Sequence, residues 1–341
     1  MENKKELTIY DLAEQLNVSV ATVSRALSDH PAVSRKTKRK VSELAEKVGY
    51  RKNNFASNLR SQKTYTIAVI VHELNSHFIT SVLSGIEKKA AEAQYDIIIV
   101  HSSESADHEK ANTKNLFHKR VDGLIVSLAY DTTDLSHYEP FLERGIPIVY
   151  FDRVKAEATG IKVVIDNFKA GYEAGVHLIG QGCKKIMQVT GNLAQNVYID
   201  RLNGFKKALA EYDLPFTPEQ LLITDLSESA GIEAARQVLE MEERPDGLFV
   251  VNDLCAAVCM QSLKDAGLRV PGDIALVGFN NDVVSRVVEP KLTTINYAGR
   301  EMGELAANCL IDQLEGTSSL KPNYTIVLPS ELMVRASSLR T

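Results

Sequence analysis

TIYDLAEQLNVSVATVSRAL, residues 8–27, decides how this chain begins. Thr8 is a helix-capping residue type, and Ile9, Leu12, Ala13 and Leu16 behind it follow helical spacing. Asn17 ends that helix, asparagine being one of the few side chains that tolerates the left-handed conformation of a tight turn. Ser19 caps a second helix with Val23, Ala26 and Leu27 on its apolar side. Working outward, VSRKTKRKVSELAEKVGY, residues 33–50, gives a third, capped by Ser34, striped by Val41, Leu44, Ala45 and Val48, and closed by Gly49. Two short helices across a tight turn, with a third closing the core, make a helix-turn-helix. Its second helix offers N-terminal residues to base edges in the major groove of DNA. Periodicity alone leaves a generic three-helix module open.

Charge supports the nucleic-acid reading. Residues 1–63 hold 13 Lys/Arg against 7 Asp/Glu, while the remainder holds 26 against 37, within an overall charge of -5. A basic segment on an acidic body suggests a polyanion-binding module joined to something that binds no polyanion. The 341 residues call for two or three domains, and 44% hydrophobic with 24% charged residues is ordinary globular composition. No apolar run reaches membrane-spanning length, so no membrane partner is expected. The polar start MENKKELTIY predicts no secretory signal and a cytoplasmic location, which argues against an exported binding protein. Cys183, Cys255, Cys259 and Cys309 lack metal-site spacing, and Cys255 and Cys259 read as buried thiols. No metal and no cofactor is expected. GxGxxG, P-loop, GxSxG and HExxH patterns are all absent, so nothing points to an enzyme.

From Tyr65 onward, β-branched runs alternate with amphipathic helices. The runs are TIAVIV (66–71), DIIIV (96–100), GLIVSL (123–128), PIVYFD (147–152), KIMQVTG (185–191), LLITDL (221–226), GLFVVND (247–253) and IALVGF (274–279). Near-continuous apolar strands separated by helices predict parallel sheets covered on both faces, with ligands held at the carboxyl ends of the strands. Those ends carry His72, Ser102, Asp152, Gly191, Asp253 and Asn280, a set suited to hydroxyl-rich ligands. The fold class is an all-α helix-turn-helix headpiece plus an α/β two-lobed, periplasmic-binding-protein-like domain with parallel sheets.

The headpiece stretches quoted above closely resemble the LacI/GalR family of transcription regulators. So do FHKRVDGLIVS (117–127), RGIPIVYFDR (144–153), DRLNGFKKAL (200–209), DGLFVVNDLCAA (246–257), DIALVGFN (273–280) and VVEPKLTTI (287–295). The resemblance implies a regulator, a repressor of the family's kind, that binds a near-palindromic double-stranded DNA operator as a homodimer. A small effector, a sugar or sugar derivative, would lie between the lobes. It implies a headpiece over 1–49 and a hinge helix or linker over 50–63. The first lobe would span 64–163 with a crossover at about 293–322, and the second 164–292 with the C-terminal segment 323–341.

Carried over residue by residue, Val20 and Ala21 discriminate operators, while Thr22, Ser24 and Arg25 contact phosphates and bases. Tyr10 matches a backbone-contacting aromatic, Arg25, Arg35 and Lys36 are the candidates for guanine and phosphate contacts, and Thr8, Ser19 and Ser34 belong to the same DNA-binding set. Asn53, Ala56 and Leu59 belong to the hinge, with Leu59 wedging into a minor-groove base step; a plain linker is the alternative. The effector-facing set is Ser76, His77, Phe78, Asp152, Arg153, Asn196, Arg201, Asn252, Asp253 and Asn280. Within it Arg201 is the expected anchor, forking two hydrogen bonds. Phe78 is either a stacking surface or core, and Asp253 either a ligand acceptor or a helix cap. Asn280 departs from the aspartate usual there, which leaves the ligand class less defined.

Overall fold

The structure is a computed structural model that describes residues 7–50 and 63–340 in two compact units, divided at Thr64. In the first unit, α1 (Ile9–Leu16), α2 (Val20–Leu27) and α3 (Arg35–Lys47) surround a core of Leu12, Ala13, Val23, Ala26, Val41 and Ala45. Each helix begins on a hydroxyl cap in extended backbone: Thr8, Ser19 and Ser34 accept from the amides of Asp11, Thr22 and Thr37. Thr8 and Asp11 complete a reciprocal capping box. Asn17 sits at φ 50°, ψ 47°, the left-handed turn its residue type favours.

The second unit holds two six-stranded sheets. In the first lobe, β1 (Thr66–Val71), β2 (Asp96–His101), β3 (Gly123–Val126), β4 (Ile148–Phe151), β5 (Ile161–Ile165) and β11 (Thr325–Leu328) run in the order β11-β5-β4-β3-β1-β2, all parallel. In the second, β6 (Ile186–Thr190), β7 (Leu221–Ile223), β8 (Gly247–Val250), β9 (Ala275–Asn280), β10 (Thr293–Asn296) and β12 (Glu331–Met333) run in the order β12-β10-β9-β8-β6-β7. There only the β10–β12 pair is antiparallel. All eight apolar runs read from the sequence are strands.

Two details differ from the expected lobe division. The expected crossover to the first lobe begins at about residue 293, yet β10 pairs with β9 in the second lobe's sheet. Only the helix after it, α12 (Gly299–Glu315), crosses, packing on α4 (His77–Glu92) and against β3, β4 and β5. TIVL was placed in the second lobe, yet β11 pairs with β5 at the edge of the first. Adjacency decides both: each strand joins the neighbour whose edge is open, which hydrophobic period cannot reveal.

The remaining helices are α5 (Ala106–Lys119), α6 (Glu139–Glu143), α7 (Asn167–Gly180), α8 (Asn196–Glu211), α9 (Glu228–Glu240), α10 (Asp253–Asp265) and α11 (Val284–Val287). Helices α7 and α8 pack closely, and two glycines make it possible. A Cβ at Gly171 would overlap the carbonyl of Arg201, and one at Gly204 the carbonyl of Phe168. That contact brings Asn167, at the start of α7, beside Arg201. Among the described residues no helix is long and apolar enough to cross a membrane, and no cluster of three metal-ligating side chains occurs. All four cysteines are buried free thiols, and burial pushes the Cys255 thiol up to about 12.

Candidate DNA-binding surface and effector cleft

In α2 the inward face is Val23 and Ala26, fully or nearly fully buried. That orientation leaves Ala21 and Arg25 exposed, Thr22 and Ser24 half-buried, and Val20 half-buried against the headpiece core. Tyr10 is 70% exposed, a large aromatic left in solvent. Arg35 and Lys36, in the first turn of α3, are exposed. Lys38 and Arg39 are engaged by Asp29 and Glu43, whereas Arg25, Arg35 and Lys36 take part in no salt bridge among the described residues. The hydroxyls of Thr8, Ser19 and Ser34, expected at the same surface, are committed to capping. Asn53, Ala56 and Leu59 lie outside the described residues.

Between the lobes of the second unit lies a cleft of about 1270 Å³. The first lobe lines it with Glu73, Asn75, Ser76, His77, Glu104, Tyr130 and Arg153, at the carboxyl ends of its strands. Facing these from the second lobe are Gly191, Asn192, Tyr198, residues 224–229, Ile232, Asn252, Leu254 and residues 282–284. Ser76, His77, Arg153 and Asn252, named from the resemblance, all line the cleft. Ser76 also caps α4, and Asn252, not Asp253, caps α10 through the amide of Cys255.

The other expected effector contacts are one layer back. Phe78 is buried and stacked on Tyr297, ring centroids 4.1 Å apart, so it is core. Asp152 is buried at φ 58° and accepts a 2.6 Å hydrogen bond from the Tyr297 hydroxyl. Burial raises its carboxyl pKa, against the pull of Arg153 and Tyr297. Asn196 bonds across the lobes, accepting from Val154 N at 3.0 Å and donating to Asp152 O at 3.2 Å. Asp253 is wholly buried: Oδ1 takes the Thr294 hydroxyl at 2.7 Å and Oδ2 the Asp282 amide at 2.8 Å. Burial pushes its carboxyl up to about 8, with Asp282 adding to the shift. Its work is to pin the loop after β9.

In that loop Asn280 and Asn281 both have positive φ, 110° and 56°, conformations asparagine tolerates better than most side chains. Asn280 does not line the cleft; its amide lies beside the Asp282 carboxylate. Arg335 holds the loop from the C-terminal segment by donating to Asn281 Oδ1 and to Ser285.

Arg201 is 3% exposed, its guanidinium 3.6 Å above the Phe279 ring and 5.8 Å from Tyr198, which does line the cleft. Nε donates to Asn167 Oδ1 at 2.9 Å. Among the described residues Nη1 and Nη2 have no hydrogen-bond partner, so the fork is free.

Glu104, Tyr198 and Asp282, which the sequence did not single out, complete the wall. Arg153 Nη1 donates to both oxygens of Glu104, at 2.8 and 2.7 Å, and Nη2 donates to the Tyr198 hydroxyl at 3.2 Å. Gln195 spans the lobes, its Nε2 donating to the carbonyls of Ala129 and Tyr130 at 3.0 and 2.8 Å. Asp282 Oδ1 lies 3.2 Å from His77 Nδ1 across the cleft. His72 is buried against Ser127, and burial pulls its imidazole well below the usual range, so the ring is neutral. Glu73, Glu104 and Asp282 follow the strand ends by two or three residues, the one signal that marked them.

A family model described as bacterial regulatory proteins, lacI family, matches residues 8–53, and one described as a periplasmic binding protein-like domain matches 176–338. Catabolite control protein A of Priestia megaterium is 34% identical over 89% of this chain and 91% of its own length. A solved lac repressor dimer, bound to operator and an anti-inducer, superposes with a TM-score of 0.88 at 25% identity, covering 98% of this chain and 100% of that one. A complex of the regulator CelR with cellobiose superposes at 0.72, also at 25% identity, over 97% and 99%. A helix-turn-helix with its second helix exposed, joined to two parallel-sheet lobes around a cleft, belongs with these proteins. The chain is a member of the lacI family of bacterial regulatory proteins.

Proposed function

We propose that this regulator represses transcription as a homodimer on a near-palindromic operator, and that a small hydroxyl-rich effector in the cleft sets its affinity for DNA. The observation that carries the effector reading is the cleft itself. Hydroxyls, amides and carboxylates from both lobes converge on a volume that suits a sugar-sized ligand. Behind them the unpartnered Nη atoms of Arg201 offer two coplanar donors to vicinal hydroxyls or a carboxylate.

One headpiece buries too little surface for useful affinity, which two half-sites would supply. The resemblance to the lac repressor dimer on its operator agrees with this.

Selection from a randomised DNA pool tests the whole reading. It should return a two-fold-related site, with sedimentation showing a dimer at micromolar concentration. Exchanging Val20 and Ala21 together should change the selected half-site while salt-sensitive binding to random DNA persists. An unchanged site preference, or a stable monomer, would sink the proposal.

A further inference from the structure

Arg201 has donors to spare, yet they do not reach the cleft surface. Among the described residues its guanidinium takes part in no salt bridge, and its hydrogen bond runs from Nε to the neutral Asn167. A buried cation with two unpartnered nitrogens is costly. Three aromatic rings surround it, with centroids 3.6 Å away for Phe279, 5.7 Å for Tyr297 and 5.8 Å for Tyr198. Tyr198 lines the cleft, whereas Phe279, Tyr297 and Arg201 itself do not.

Tyr198 and Arg201 are three positions apart in α8 and so share one face of the helix. The phenol is held at two points. Its hydroxyl accepts from Arg153 Nη2 at 3.2 Å, a bond from the first lobe. Its ring rests on Gly191, the residue after β6, where a Cβ would stand 2.6 Å from both Cε2 and Cζ. Gly191 has no positive φ, so the backbone does not call for glycine there; the ring does.

We infer that Tyr198 is a gate between the cleft and Arg201: a ligand reaches the free Nη atoms only when the phenol ring leaves Gly191 and gives up the Arg153 bond. This rests on the reading of the cleft as the effector site with Arg201 as its anchor. The gate makes Tyr198 a specificity residue. A ligand whose hydroxyls or carboxylate reach past the ring gains two coplanar donors, which offset the lost bond. A ligand that bonds to the cleft wall alone leaves the gate shut.

The test needs no effector. Phenylglyoxal adds to accessible guanidinium groups, and mass spectrometry of the digested full chain follows its adducts at Arg201 against those at the exposed Arg244. In the parent chain Arg201 should label about tenfold or more slowly than Arg244, because opening the gate breaks a hydrogen bond to a charged group. Tyr198→Ala removes the ring and should remove most of that protection. Gly191→Ala puts a methyl in the ring's seat and should do the same with the phenol still present. Tyr198→Phe loses only the Arg153 bond, so its rate should fall between the parent and Tyr198→Ala. A ring that merely filled space would leave Tyr198→Phe at the parent rate. The inference is overturned by that result, by an Arg201 that labels as fast as Arg244 in the parent, or by protection that survives both Tyr198→Ala and Gly191→Ala. A rise matched at Arg335, which is bonded to the loop after β9, also overturns it, since general loosening then explains the labelling. Thermal shift with D-glucose, D-galactose, D-ribose and gluconate, on the parent and on Arg201→Ala, tests the cleft separately. Stabilisation that survives Arg201→Ala removes Arg201 as the anchor and leaves the gate as the labelling found it.

Discussion

Asp253→Asn should make this protein more stable at neutral pH, although it removes a carboxylate at the start of a helix. Asp253 is wholly buried and its carboxyl is pushed up to about 8, so at neutral pH the folded chain holds the proton. The unfolded chain releases it near pH 4. A carboxyl raised in this way stabilises fully below its unfolded pKa, and that stability is lost as pH rises towards the folded pKa. The loss approaches about 1.4 kcal/mol per pH unit between about pH 4 and pH 8, or about 3 kcal/mol from pH 5 to pH 7. Asparagine has no proton to lose. Its geometry also copies the protonated acid: Oδ1 accepts from the Asp282 amide at the 2.8 Å position. Nδ2 donates to Thr294 Oγ1 at the 2.7 Å position, while that hydroxyl turns towards Ile295 O, 3.4 Å away. Urea unfolding of the larger unit, followed by circular dichroism from pH 5 to pH 9, measures the difference between variant and parent. That difference should grow in the variant's favour up to about pH 8 and then level off. A flat difference would mean Asp253 is ionised in the fold, and the account of its burial would be wrong. Effector affinity is an independent check, since a residue that only pins the loop should alter it little.

Other substitutions separate further claims. Leu59→Ala should weaken operator binding by about tenfold or more and binding to random DNA by less than about twofold, because an intercalating wedge acts only on a seated site; equal losses in fluorescence anisotropy would reduce the segment to a linker. Arg201→Ala should leave operator affinity intact and abolish its response to effector, since the free Nη donors are lost. Gly204→Ala should destabilise by about 1–3 kcal/mol, its new methyl meeting backbone that cannot yield. Gly180→Ala, where a methyl meets nothing within 4 Å, should instead stabilise by up to about 1 kcal/mol. Thermal melts showing both glycines alike would contradict the close approach of α7 and α8.

Local chemistry was legible in the sequence. Hydroxyl caps at Thr8, Ser19 and Ser34, a left-handed Asn17 and eight apolar strands follow from residue type and spacing, and each is present. The strand Ile161–Ile165 was not among those runs, because Lys162 breaks its apolar pattern. In the structure that lysine is buried, with Nζ donating to Ala158 O at 2.6 Å. Partnership was not legible. A β-branched run gives no sign of whose edge it joins, so β10 and β11 were exchanged between lobes. The site divides the same way. Ser76, His77, Arg153 and Asn252 are set by their own strand or helix end. Asp253 and Asn280 look identical in sequence whether they face a ligand or brace a loop; Asp253 is bonded by Thr294, 41 positions further along the chain, and the loop that holds Asn280 is fixed at Asn281 by Arg335, 54 positions beyond it.

Misreading Asn196 has the same origin and a consequence for control. Asn196, Gln195 and Tyr198 open α8, and all three bond to the strand-end loops of the opposite lobe. The lobes are therefore bridged by one turn of helix whose polar side chains bond to the first lobe. A ligand shifts the angle between lobes only by binding one arrangement better than another. Tyr198 and Arg153 belong both to the cleft lining and to this strap, so a ligand hydroxyl that takes the Tyr198 hydroxyl competes with a bond that holds the lobes together. Ligands that engage Ser76 and Asn252 alone leave the strap intact. Two molecules of equal affinity can then differ in their effect on DNA binding, according to whether they bond to Tyr198.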